Sequence, residues 1–300
     1  MSMIRLSSDD RRFNILAVAI SIIACILVLY PMYFIVIASF SEPEKVMAGE
    51  VLLFPKGFNT SGYQRIFAYQ PLWRGYANSL FYTLVGGFAS TVITLFAAYP
   101  LSRRDFSGKK GLTIFFLIAM FFSGGLIPQY ILINAMHLRN TYAVLLLVSG
   151  VQVMNLLMAS SYFRSTYIPS LWEAAQLDGC SHFGYFFRVL LPVSTPIVIV
   201  MLLFYGVFQW NDYFRAMIFL DKEAFYPIQL VLKELLASNQ VSGAMIELLS
   251  EDQEAFSEML RAAESMKYGI ILMATLPMLL LYIFLQKYFV KGITLGSVKG

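Results

Sequence analysis

The sequence predicts an all-α membrane protein, six transmembrane helices with a short cytoplasmic hairpin of helices between the fourth and the fifth. Three observations carry this. Hydrophobic residues make up 58% of the 300 residues and charged residues 13%, with a mean hydropathy of +0.67, which is far from a soluble globular domain. Apolar runs long enough to cross a ~30 Å hydrocarbon core recur along the chain. Arginine and lysine gather in alternate connections, as the positive-inside rule requires.

The first span is 13–40, which follows Arg5, Arg11 and Arg12 and carries no charge. At about 28 residues, or ~42 Å of helix, it is too long for a signal-peptide core, and no small-residue cleavage site follows. Residues 41–75 are an external segment of mixed charge, with turn residues Pro43, Pro55, Gly57 and Gly62 and interfacial Tyr63, Tyr69 and Trp73. The second span, 78–101, delivers Arg103, Arg104, Lys109 and Lys110 to a cytoplasmic loop that holds one acid, Asp105. The third span is 112–135 and the fourth 141–163; Arg164 then returns the chain inside.

Residues 169–192 interrupt the apolar pattern. Ser170 and Glu173 have capping-box spacing, so a helix is expected from about Leu171. Asp178-Gly179 should close it, since glycine takes the left-handed conformation that reverses a chain. Ser181 can cap a second helix whose Phe183, Phe186, Phe187 and Leu190 fall on one face, ended by Pro192. The fifth span covers 193–220, an acidic outer loop 221–267, and the sixth span 268–289. The tail 290–300 lies inside by its Lys291 and Lys299, so both termini are cytoplasmic and 1–300 reads as one transmembrane domain. No internal repeat is visible.

In this hairpin Glu173-Ala174-Ala175, then Asp178-Gly179, an aromatic run, and Leu191-Pro192 with Pro196 resemble the EAA loop of ABC-importer membrane subunits. Gly124-Gly125-Leu126-Ile127-Pro128, Asn140-Thr141, Trp210-Asn211 and the endings 287–292 and 298–300 are similar to the carbohydrate-uptake branch, most of all the complex-oligosaccharide subgroup. The resemblance implies a type I importer fold like that of the maltose importer. It also implies a permease subunit in a bacterial cytoplasmic membrane, moving an oligosaccharide or polysaccharide, with acidic chains such as alginate or pectin fragments among the candidates. Glu173, Ala174, Ala175, Asp178, Gly179 and Pro192 would then form the coupling helix that docks on an ATPase. Lys291, Gly292, Lys299 and Gly300 would reach into the ATPase dimer, and 236–263 would act as a scoop in the sugar-binding protein. The implied partners are a second homologous permease, two ATP-binding-cassette subunits holding ATP and Mg, an extracytoplasmic sugar-binding protein, and lipid.

Polar side chains within spans are costly and should face protein or water. Asn78, Gln129, Asn134, Gln152, Asn155, Gln209, Asn211 and Asp212 are such residues. Gln152 and Asn155 share a helix face with Ser149 one turn earlier, a stripe that fits either sugar hydroxyls or helix-to-helix hydrogen bonding. Gln209, Trp210, Asn211, Asp212 and Tyr213 combine aromatic faces with amides and a carboxylate, the groups a saccharide needs. The competing reading of this patch is an interfacial aromatic belt, with Asp212 paired to Arg215.

Several functions find no support. Walker A, H-x-x-x-H and G-x-S-x-G patterns are missing, so neither an ATPase nor another enzyme centre is expected in this chain. Cys25 and Cys180 offer no disulfide framework or zinc site, and His137 and His182 read as surface loop residues. No basic patch with stacking aromatics points to nucleic acid. The alternative is an ion-coupled secondary transporter or channel, which would want ionisable groups at mid-membrane; only Asp212 and Arg215 are on offer, near one end of a span.

Overall fold

The computed structural model describes residues 8–148, 150–166, 169–237 and 253–297. These are helical, without a β-strand among them. Helices α1 (Ser8–Ser39), α2 (Pro43–Met47) and α3 (Ser61–Ala68) are followed by one long helix α4 (Gln70–Ser102) that contains a π turn at Tyr82–Gly86. Next come α5 (Lys109–Phe121), α6 (Leu126–Ala135), α7 (Tyr142–Val148) and α8 (Val153–Thr166). The predicted hairpin is α9 (Pro169–Leu177) and α10 (His182–Val193). Helices α11 (Thr195–Trp210), α12 (Phe214–Phe219), a 3-10 turn (Glu223–Phe225), α13 (228–237) and α14 (Gln253–Ser297) complete the order.

Among the described residues three stretches are long and apolar enough to cross a membrane, Asp9–Ser39, Gln70–Ser102 and Glu264–Phe284, or five if each of two bent pairs is one span. The pairs are α5 with α6, bent by 109°, and α10 with α11, bent by 85°. The first bend interrupts the expected span 112–135 where Gly124 and Gly125 sit, and Gly125 adopts φ +84°, open to glycine alone at little cost. The expected spans 141–163 and 193–220 are likewise interrupted, between α7 and α8 and at Asn211–Tyr213. The last helix runs from Gln253 to Ser297, past both ends of 268–289, so the end of the outer loop and the backbone of Lys291 and Gly292 are helical.

The chain divides into two compact units, Met1–Tyr69 with Leu235–Thr275, and Gln70–Glu234 with Leu276–Gly300. In the first, Ile37 and Ala38 pack with Val46 and Val51 against Phe34 and Tyr268. Helix α3 crosses α14 at two glycines: a Cβ on Gly62 would collide with the Ser265 carbonyl oxygen, and one on Gly269 would lie 2.8 Å from Ile66.

In the second unit α4, α8 and α11 form the core. Leu95, Ala98, Leu156, Phe163, Met201 and Tyr205 are buried together. Helices α4 and α11 approach at Gly87 and Gly206, where an added Cβ on Gly87 would already touch the Gly206 backbone at 3.5 Å. Small residues permit such close crossings where lipid supplies no hydrophobic drive between helices. Polar residues complete the packing: Asn78 Nδ2 donates to the carbonyls of Ala224 and Tyr226 at 2.8 and 3.0 Å, and the Ile228 N–H donates to Ser79 Oγ at 2.8 Å.

Candidate functional site

The hairpin is built as two helices around a glycine, with three differences from expectation. Helix α9 is already formed at Pro169, ahead of the expected start near Leu171, so Ser170 lies within the helix and not at its cap. Its closure has the form of a Schellman motif: the Cys180 N–H donates to Ala175 O at 2.9 Å and the Gly179 N–H to Gln176 O at 3.0 Å, with Gly179 at φ +73°. Ser181 caps α10, its Oγ accepting from the Gly184 N–H at 3.2 Å. Helix α10 runs one residue past Pro192 and turns at the buried Ser194, whose N–H donates to Leu190 O at 2.9 Å. A π turn at Phe186–Leu190 rotates the helix face, so Tyr185, Phe186 and Leu190 are buried while Phe183 and Phe187 are exposed.

A cluster missed by sequence reasoning joins this hairpin to the end of α4. The Trp172 indole is 7% exposed. It stacks on the His182 ring at 4.5 Å and 14°, and meets Tyr185 edge-on at 5.0 Å. Arg103 places its guanidinium 5.0 Å from the Trp172 ring centre and 5.8 Å from that of Tyr99. Its Nη1 reaches both His182 ring nitrogens, Nε2 at 3.1 Å, and its Nε donates to Asp105 Oδ1 at 2.9 Å. His182 is therefore the stacked first residue of a helix, not a loop residue. Because a guanidinium only donates, the arrangement selects a neutral, accepting imidazole. Burial lowers the His182 pKa and the Arg103 charge lowers it further, against Asp105. The hydrogen bond from Arg103 holds the Asp105 carboxyl below its usual range. A lone tryptophan in a polar helix was the available signal.

The opposite side of α9 stays open. Glu173, Ala174, Gln176 and Asp178 are exposed, and Leu177 is 90% exposed. The hairpin thus has one side anchored in its unit's core and one side free, with an uncovered leucine next to the turn.

The second candidate group divides. Gln209 and Trp210 are both buried at 2% exposure. Gln209 Nε2 donates to Leu145 O at 3.2 Å and its Oε1 accepts from Arg215 at 2.9 Å. Arg215 Nε lies 2.6 Å from Asp212 Oδ2, and its guanidinium covers Phe208 at 4.7 Å. Asn211 bonds back to Val207 O at 2.9 Å, and only Asn211 and Tyr213 of the patch are exposed. On α8, Asn155 is buried and donates to Gln152 Oε1 at 3.3 Å, while the Gln152 N–H donates to Tyr205 Oη at 3.0 Å. Tyr205 in turn meets Thr94 at 2.6 Å. Gln129 and Asn134 are exposed. Ser149, Lys299 and Gly300 lie outside the described residues, as does much of the expected scoop, 238–252.

No family model matches the chain. Among curated proteins, it is 33% identical over 293 residues to the polygalacturonan/rhamnogalacturonan transport system permease protein YtcP of Bacillus subtilis (strain 168), covering 97% of this chain and 99% of that protein. This chain belongs to the permeases of ABC sugar-transport systems. The permease is also 33% identical over 271 residues to protein LplC of the same organism, with 90% and 89% covered. A chain in the crystal structure of a bacterial ABC transporter involved in the import of the acidic polysaccharide alginate matches it with a TM-score of 0.84 at 27% identity, over 96% of this permease and 100% of that chain. The fold is accordingly that of an ABC-importer permease, and the chain is not itself an enzyme. Permeases of this family are membrane-embedded parts of ATP-driven systems whose ATPase activity lies in partner subunits.

Proposed function

We propose that this permease carries an oligosaccharide, released by an extracytoplasmic binding protein, across the bacterial cytoplasmic membrane through a path shared with a second, similar permease. Two ATPase subunits power the movement, and the hairpin transmits it. The observation that carries this reading is the hairpin's two-sidedness: Trp172 and Tyr185 are buried at 7% and 1% exposure, whereas Leu177 next to the turn is 90% exposed. A lever needs one end fixed to the moving helices and another free to engage a partner. Glu173, Ala174, Asp178 and Gly179 form the docking end, with the half-buried Ala175 packed behind them against the core; Pro192 lies at the bend into α11, and Lys291, Gly292, Lys299 and Gly300 add a tail contact. On a six-span reading with both termini cytoplasmic, supported by the alternation of cations, the hairpin is on the ATPase side.

For cargo, the relatives' names point to fragments of acidic polysaccharides such as polygalacturonan or alginate. Asn211 and Tyr213 are the patch residues free to meet a sugar, because Asp212 and Arg215 neutralise one another at 2.6 Å. An acidic chain would then find its cations on the second permease. The test is purification from native membrane with associated subunits, followed by ATPase assays with the binding protein and oligogalacturonate, oligoalginate or neutral oligosaccharides. Stimulation by one loaded binding protein supports the proposal. A chain purified alone that moves solute under an ion gradient would overturn it.

A further inference from the structure

In the unit that contains α1, residues 50–56 form a closed loop. Its neck is held by the Glu50–Lys56 ion pair at 3.5 Å, the Lys56 N–H donating to Ser41 Oγ at 3.2 Å, and the Glu42 N–H donating to Lys56 O at 3.0 Å. At its tip stand Leu52, Leu53 and Phe54, which are 61%, 61% and 75% exposed. Three consecutive large apolar side chains at these exposures are an unusual surface for water.

The tip backbone is tied to the first helix. Tyr30 Oη donates to Leu52 O at 3.1 Å and Tyr33 Oη to Leu53 O at 2.5 Å. The depth of these two tyrosines follows from α1 itself. Arg11 and Arg12 mark one interface and the uncharged run starts at Phe13. At ~1.5 Å per residue, a ~30 Å hydrocarbon core is crossed about 20 residues later, close to Met32. Tyr30 and Tyr33 therefore stand at the far boundary, where tyrosine rings favour one apolar and one wet end. Carbonyls held at that level lose water and need internal donors, and the two hydroxyls supply them.

We propose that Leu52, Leu53 and Phe54 insert among the lipid acyl chains at the leaflet boundary near the Ser39 end of α1, making this loop an interfacial anchor for the first span. The occupant is lipid because the tip offers only hydrocarbon and aromatic groups, at the depth where acyl chains begin, while the charged neck stays toward water. The inference needs α1 to span the membrane and is independent of the cargo and of the coupling role of the hairpin.

A nitroxide on Leu53→Cys, in a Cys25→Ser, Cys180→Ser background, tests it in the assembled transporter in nanodiscs of phosphatidylethanolamine and phosphatidylglycerol. Leu29→Cys on α1 and Ala48→Cys, exposed in the turn after α2, serve as references for lipid and water. The expected result is faster collision with oxygen than with a water-soluble nickel chelate, in the manner of Leu29. A chelate-accessible label like that of Ala48 would overturn the proposal, and so would shielding from both reagents, which would mean a protein partner covers the tip. Phe54→Cys gives a second reading if Leu53→Cys assembles poorly. Tyr30→Phe with Tyr33→Phe should move the label toward the Ala48 values, and an unchanged label would overturn the tethering.

Discussion

The His182 imidazole lies against the Trp172 indole, ring centres 4.5 Å apart and planes 14° from parallel. The two residues belong to different arms of one hairpin, and their stack fixes the angle between the arms. Arg103, from the end of α4, closes over the indole at 5.0 Å and ties the pair to the unit's core.

Trp172→Ala should release the hairpin. Removing a buried tryptophan leaves a cavity worth about 3–5 kcal/mol, and here it also removes the surface on which Arg103 and His182 rest. The expected outcome is a transporter that still assembles but hydrolyses ATP with little transport, measured as sugar moved per ATP. Trp172→Phe should recover most of that ratio. Arg103→Lys should not, because an ammonium lacks the planar, forked geometry of the guanidinium.

The same contacts give the hairpin a pH dependence. His182 precedes the expected fifth span, 193–220, and its pKa is lowered below the ordinary 6.5, first by burial and then by Arg103. A base with a lowered folded pKa is held neutral in the fold, so its contribution is fully present above about pH 6.5 and is lost as the pH falls through the lowered value. Amide hydrogen exchange of 171–190, corrected for intrinsic rates, should show protection that falls between pH 7 and pH 5. His182→Gln should flatten that profile.

Gly179 has φ +73° with nothing within 4 Å of a Cβ built on it. Space is free; handedness is the constraint. Gly179→Ala should therefore cost about 1–2 kcal/mol through its left-handed backbone, and Gly179→Asn less. Comparing coupling ratios of the two variants separates a backbone effect from a steric one: equal losses would contradict it.

Asp212 and Arg215 are held together at 2.6 Å, with side chains 9% and 13% exposed. Removing one partner of such a pair strands the other, at a cost of roughly 3–5 kcal/mol. Asp212→Ala and Arg215→Ala should each lower thermal stability and yield, with the double variant far better than the sum of the two losses. A single Asp212→Ala variant of normal stability but raised half-saturating sugar concentration would assign the carboxylate to cargo instead. Tyr213→Ala, at an exposed position, is the variant expected to change sugar dependence without loss of fold.

Much of the fold was legible along the chain. Residue composition, run lengths and the alternation of cations identify a polytopic helical protein, and Gly179 announces the hairpin, because left-handed backbone at a helix end is glycine's role. These are local or periodic properties. Helix interruptions were not legible: 112–135 reads as one apolar run, and hydropathy does not sense the 109° bend that falls at Gly124 and Gly125.

What only the tertiary structure decided is which polar and aromatic residues meet across distance. Gln209 looked like a sugar ligand by type, yet its amide joins Leu145 O, 64 positions away, and Arg215. Trp172, Arg103 and His182 are unremarkable in isolation and form one brace because α4 delivers Arg103 beside the hairpin. Sequence determined the helical class and the medium, since both depend on local propensity and on average transfer energy per segment. The side-chain partners of a buried polar group depend on packing between segments, and no short-range pattern encodes that choice.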